Sequence, residues 1–219
     1  MKKINLLLSN LGMMALMRRA LSAVLLIALS VAIRQAAAQD NETWEKIRDT
    51  SPDKKFAMRI KCESEPEDPE HIHSNLITAI DLVSLPSKKV VAQLLPSDDV
   101  GTTFEDVMLI WSSDSKWCAF YYQSPRTAYT SVFRRVGNKF VGANRREKLM
   151  IPLKGFVKSE YVQPIRWVQP GVLVLKQLTI FHENDAEASY EFTARFDPKT
   201  GQFQITSKRE MAADEDTKE

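Results

Sequence analysis

Trp111 to Tyr122 reads W-S-S-D-S-K-W-C-A-F-Y-Y. An apolar run, Val107 to Trp111, leads into a short polar stretch, Ser112 to Lys116, and a second run, Trp117 to Tyr122, leaves it. Aromatic residues favour strands, and Ser and Asp hydrogen-bond their own backbone in turns, so this is strand, tight turn, strand. A related phrase, S-P-D-K-K-F-A-M, occupies Ser51 to Met58. Ser51 and Ser112 are 61 residues apart at matching positions of the turn, and Trp111 and Trp167 are 56 apart at the ends of their strands. Such self-similarity points to a repeat.

Working outward, Phe56, Met58, Ile60 and Cys62 alternate with Ala57, Arg59 and Lys61. That is the period-2 pattern of a strand with one buried face. Glu63 to Glu70 is an acidic, proline-containing loop, and strands are expected over Leu76 to Val83 and Lys89 to Leu95. A second unit supplies Val107 to Trp111, Trp117 to Gln123, Ala128 to Val136 and Lys139 to Ala143, the last two joined by Gly137-Asn138. Gly and Asn tolerate positive φ, as tight hairpins require. A third unit begins near Tyr161 and supplies Pro164 to Val168, the turn Gln169-Pro170-Gly171, Val172 to Phe181, Ala188 to Phe196 and Gln202 to Ser207.

The expected fold is all-β, a series of about three antiparallel β-meander sheets over residues 51–208 that bury their faces against one another. A plain β-sandwich or a single meander is the alternative. Residues 39–50 read as a linker, a short helix, with Trp44 and Ile47 at helical spacing, or a frayed first strand. Residues 209–219 read as an acidic tail without fixed structure.

S-P-D-K-K-F-A-M, followed by I-T-A-I-D-L and K-K-V-V-A-Q-L, resembles a blade of the TolB-type β-propellers, and W-S-S-D-S-K-W-C-A-F is similar to the same turn. In that family a W-S-P-D-G-K-type turn links the first two strands of a blade. The turn glycine is replaced by Lys54 in the first copy and Ser115 in the second, and the third keeps only Trp167 and Pro170-Gly171. Ordinary closed propellers have about four to eight blades. The resemblance therefore implies an open stack, a degenerate small propeller, or half of a ring completed by a second copy. It also implies a role in protein interaction in the cell envelope or outside the cell.

Met1 to Ala38 holds five basic residues, no acid, an apolar run from Ala20 to Ile33, and then Ala36-Ala37-Ala38. A basic start, an apolar segment too short to span a bilayer and a small-residue site form the secretory signal pattern. The expected mature chain begins near Gln39, is periplasmic or extracellular, and has no integral membrane span. The full chain carries 30 basic and 28 acidic residues, so losing the leader's five leaves 25 against 28. Cys62 and Cys118 are the two cysteines. In an oxidising compartment they pair or stay as two buried thiols.

Catalytic signals are sparse. There is no G-x-S-x-G elbow, no phosphate-binding loop and no dinucleotide glycine fingerprint, and no cofactor is expected. Asp53 and Asp114 hold equivalent turn positions, where Asp caps the backbone. His71 and His73 lie beside Glu67, Asp68 and Glu70 without a third strong ligand at fixed spacing, and His182 is the remaining histidine. No metal site is expected. Tyr121, Tyr122, Tyr129 and Phe133 read as strand core or as an aromatic platform for sugar. Charge is more informative. Residues 126–158 contain nine Lys and Arg against one acid, whereas residues 40–115 contain 16 acids and eight bases. The basic segment binds an acidic protein or an anionic envelope polymer, or it pairs with the acidic first unit of its own domain. The expected patch is Arg126, Lys139, Arg145 and Arg146, with Arg134 and Arg135 pointing to opposite faces of one strand. Nucleic acid is not an expected partner of an exported chain. The reading is a non-enzymatic binding or scaffolding module that is able to oligomerise. The alternative is a secreted hydrolase or an accessory domain of one.

Overall fold

A computed structural model describes residues 43–69, 72, 76–95, 106–123, 127–144, 149–183 and 185–212. The leader, Gln39, His71, His73, Arg126, Arg145, Arg146 and the tail from residue 213 lie outside the described residues. The described residues form twelve strands and no α-helix. Strands β1 (Trp44–Arg48), β2 (Phe56–Cys62), β3 (Ile77–Ser84) and β4 (Val90–Leu95) make a four-stranded antiparallel sheet in chain order. Strands β5 (Asp106–Trp111), β6 (Trp117–Gln123), β7 (Thr127–Val136) and β8 (Lys139–Gly142) make a second meander. Strands β9 (Val157–Gln169), β10 (Val172–Phe181), β11 (Glu187–Asp197) and β12 (Gln202–Glu210) make a third.

The second and third meanders are not separate sheets. They join in one sheet of order β12-β11-β10-β9-β7-β6-β5, with β8 off the path. The cause is the length of β8. Its four residues cover only Phe133 to Val136 of β7, which leaves the start of that edge open. There β9 pairs in parallel, Thr127 with Glu160 and Ala128 with Tyr161. Among the described residues neither sheet closes on itself.

Of the linker, short helix or frayed first strand expected over residues 39–50, the strand is the one formed, over Trp44–Arg48. A five-residue helix would be marginal in water, whereas Trp44 to Arg48 gains a full ladder against β2. Asp49, at φ +53°, then ties the end of β1 to the second meander. Its carboxylate accepts from the Leu109 amide at 3.0 Å, and its carbonyl accepts from the Trp111 indole at 2.7 Å.

Two cores follow. The first joins Phe56, Met58, Ile60, Ile80 and Leu82 of the first sheet to Leu109, Cys118, Phe120 and Phe140 of the second meander. The other joins Trp117, Ala119 and Val132 to Leu173, Leu175, Phe192 and Phe203 of the third. Strand β6 serves both, with alternate side chains on each face. Tyr121 is buried, and Tyr122 and Phe133 pack against the first core, so these aromatics belong mainly to the interior. Fully buried Gln177 pins the segment before β9, accepting from the Ile151 amide at 2.7 Å and donating to its carbonyl at 3.0 Å.

Candidate functional site, the basic end of the sheets

Ser51 and Ser112 build the same turn twice. The Ser51 hydroxyl donates to Asp53 at 2.7 Å and accepts from the Phe56 amide at 3.0 Å. The Ser112 hydroxyl donates to Asp114 at 2.6 Å and accepts from the Trp117 amide at 3.1 Å. Asp53 also accepts from the Lys55 amide, and Asp114 from that of Lys116. Both aspartates are therefore turn caps, as the sequence indicates. Lys54 and Ser115 stand at φ +58° and +56°, in the left-handed region that glycine would occupy without strain.

The two turns touch. The Ser115 hydroxyl accepts from the Asp53 amide at 3.0 Å. Trp167 repeats the contact of Trp111, donating its indole N–H to the Ile110 carbonyl at 3.3 Å. The acceptors, Asp49 and Ile110, are separated by the same 61 residues as Ser51 and Ser112. Both tryptophans thus donate to a backbone carbonyl of the preceding meander, Trp111 to one just past the end of β1 and Trp167 to one inside β5.

Strand register gathers the other hairpins at this same end. Phe56 pairs with Ser84, Trp117 with Arg134, and Val172 with Arg195. Residues 51–55, 84–89, 112–116, 134–139, 169–171 and 195–201 thus share one end of the sheets. They contain ten Lys and Arg against three Asp. All three aspartates are engaged in their own turns, since Asp197 accepts from the Lys199 amide, the Thr200 hydroxyl and the Gln204 amide. The acidic loop after β2 lies at the opposite end, where Cys62 pairs with Trp44 and Ile77.

Arg134 and Arg135 point to opposite sides, as expected for adjacent strand residues. The Arg134 guanidinium lies over Trp117 and Phe196, at 5.8 and 5.0 Å from the ring centroids. The Arg135 guanidinium lies 4.7 Å over Phe56 and 3.9 Å from the Asp53 carboxylate. Burial pushes the Asp53 carboxyl up, but the Ser51 and Lys55 hydrogen bonds, with the charges of Lys55 and Arg135, outweigh it and hold the group below its ordinary range. Arg135 is the one cation among the described residues of 126–158 that forms an ion pair with the first unit, and it meets the turn rather than the acidic loop.

Of the expected patch, Lys139 alone is described. It lies with Lys55 and Lys89 around a groove of about 370 Å³ floored by Phe56, Val90 and Val91, between β4 and the β7–β8 hairpin. Lys55 and Lys89 escaped the sequence reading because they come from the first unit. A second cavity of about 340 Å³ lies between the turns of the second and third meanders and includes Trp117, Arg134, Arg195 and Phe196. A third, of about 330 Å³ and lined by Tyr121, Gln123, Tyr161 and Gln163, sits toward the opposite end.

Cys62 and Cys118 are buried free thiols in the first core. Burial pushes both thiols above their ordinary range, which disfavours the reactive thiolate. His182 stacks flat on Phe156, with ring centroids 4.4 Å apart, and lines none of the three cavities. Among the described residues no group of three His, Cys, Asp or Glu is placed to hold a metal ion. No protein-family model and no curated protein matches the chain.

Proposed function

We propose that the chain is an exported, non-enzymatic binding or scaffolding module of the cell envelope. In this reading its meanders are propeller-like repeats of the TolB type, and its basic end docks an acidic protein or an anionic envelope polymer. The observation that carries the proposal is the concentration of ten cations, of which Lys88 is paired with Glu45 and Arg135 with Asp53, against three turn-bound aspartates at one end of the sheets. Exposed like charges held together by a rigid frame raise the local potential and speed the approach of an anion. The repeat reading is supported by the duplicated Ser-Asp turn and by the indole-to-carbonyl bond that Trp111 and Trp167 each make to the preceding meander.

The test is retention of the purified mature chain on an anionic polymer surface at low and high salt. Exposed charges are screened beyond about 8–10 Å at physiological ionic strength, so retention is expected to fall steeply with salt. A Lys55→Glu/Lys89→Glu/Lys139→Glu variant that remains folded is expected to elute far earlier than wild type. Equal retention of the two removes the basic end as the docking surface. Export has its own check, the intact mass of the native protein, which is expected to correspond to a start near Gln39.

A further inference from the structure

The second cavity differs from the lysine-rimmed groove in its chemistry. Lysine ammonium groups are compact, strongly hydrated charges on flexible stems, whereas arginine offers a planar fork matched to a carboxylate. The Arg134 guanidinium is held over Trp117 and Phe196, and among the described residues it forms no ion pair. Arg195 of β11, exposed and also in the cavity lining, forms none among the described residues either. Pro170 and Pro198 complete an apolar, conformationally stiff wall around them. Gly171, at φ +75°, brings the backbone close enough that an added Cβ would lie 3.5 Å from the Trp117 ring. The cavity thus sets the Arg134 guanidinium beside aromatic and proline surface, with Arg195 also in its lining, in a volume typical of small-ligand pockets.

A ligand that satisfies both features carries a carboxylate next to apolar surface. A peptide ending in an apolar residue does so, because its carboxylate and its side chain leave the same carbon. A glutamate side chain presents its carboxylate at the tip of a flexible arm and leaves the rings uncovered. We infer that this cavity captures the C-terminal carboxylate of a partner protein whose last residue is apolar. The inference rests on the docking role proposed above for this end of the molecule and gives it specificity. Arg134 supplies a guanidinium already ordered by stacking, so less side-chain freedom is lost on binding than at the lysine groove.

The experiment is calorimetric titration of the full mature chain with three probes. These are an acetylated Gly-Ser hexapeptide ending in phenylalanine with a free carboxylate, the same peptide amidated, and the amidated peptide with an internal glutamate. The free acid is expected to bind at least about tenfold more tightly than either amide, the scale of a charge-assisted hydrogen-bonded pair. Arg134→Lys/Arg195→Lys keeps the charge but loses the fork, and is expected to weaken the free acid about tenfold. Equal binding of acid and amide, tighter binding of the glutamate peptide, no binding of the acid, or full affinity in the folded double variant each overturns the inference. Failure of wild type to bind the anionic surface defeats the broader docking proposal instead, so the two failures are separable.

Discussion

The first and second turns, at Ser51 and Ser112, are built from the same parts, whereas the third, at Gln169-Pro170-Gly171, reaches its place by other chemistry. In the first two, a serine hydroxyl and an aspartate carboxylate hold the loop, and a non-glycine residue carries the positive φ. In the third, proline fixes one φ and Gly171 takes the left-handed position without strain. The first pair is also cross-linked, turn to turn, through Ser115 and Asp53. The difference teaches that two turns at the same end of the sheets can be closed in different ways: a five-residue loop held by a Ser-Asp network, or a two-residue Pro-Gly hairpin held by the backbone itself. It also accounts for a stiff basic end. The cations sit on loops fixed by buried hydroxyls and by aromatic rings.

The largest expected effect comes from the tryptophans that link successive meanders. Trp111→Ala is expected to lose about 3–5 kcal/mol in chemical denaturation, because it removes contacts with Phe56 and Phe140 and the bond to Asp49. Trp167→Ala is expected to lose less, about 2–3 kcal/mol, since β7–β9 pairing already ties its two meanders into one sheet. A loss below about 1 kcal/mol for Trp111 would break the equivalence of the two links.

Glycine substitutions sharpen the comparison of the first two turns. Lys54→Gly removes left-handed strain at an exposed site and is expected to gain about 0.5 kcal/mol after the entropy of the unfolded chain is counted. Ser115→Gly relieves the same strain but strips the acceptor from the Asp53 amide, and is expected to lose about 1 kcal/mol. The opposite signs, read from thermal denaturation, distinguish a merely strained position from one that joins two turns. Gains at both sites would mean that the cross-link contributes nothing.

The smallest effect is in pH. The folded pKa of Asp53 is depressed, so its contribution to stability is present above the unfolded carboxyl pKa and is lost as pH falls through the folded value. Asp53→Asn is expected to flatten this acid dependence without altering the slope above neutrality. Parallel stability–pH curves for the variant and wild type would remove Asp53 as its source.

The sequence made much of the strand map readable. Phe56 to Cys62, Trp117 to Gln123 and Val172 to Phe181 are strands with the expected limits, because alternation or aromatic content marks them and turn residues bound them. Strand β9 begins at Val157 rather than near Tyr161, since its exposed first residues carry no burial signal. The parallel join of β7 to β9 was not legible either. It depends on a gap left by short β8, which no local pattern records. The same limit applied to the basic surface. A segment count found Lys139, Arg134 and Arg135, but Lys55, Lys89 and Arg195 enter only through register between distant strands. The acidic loop that balanced those cations on paper stands at the other end of the sheets.

The central claim is that one end of the sheets is the docking surface, and amide hydrogen exchange with and without a bound anionic polymer tests it most directly. Protection is predicted in 51–55, 84–89 and 134–139, and to a lesser degree in 195–201, with the loop after Cys62 unchanged. Protection confined to residues 63–69, or binding with no change at the turn end, would contradict it.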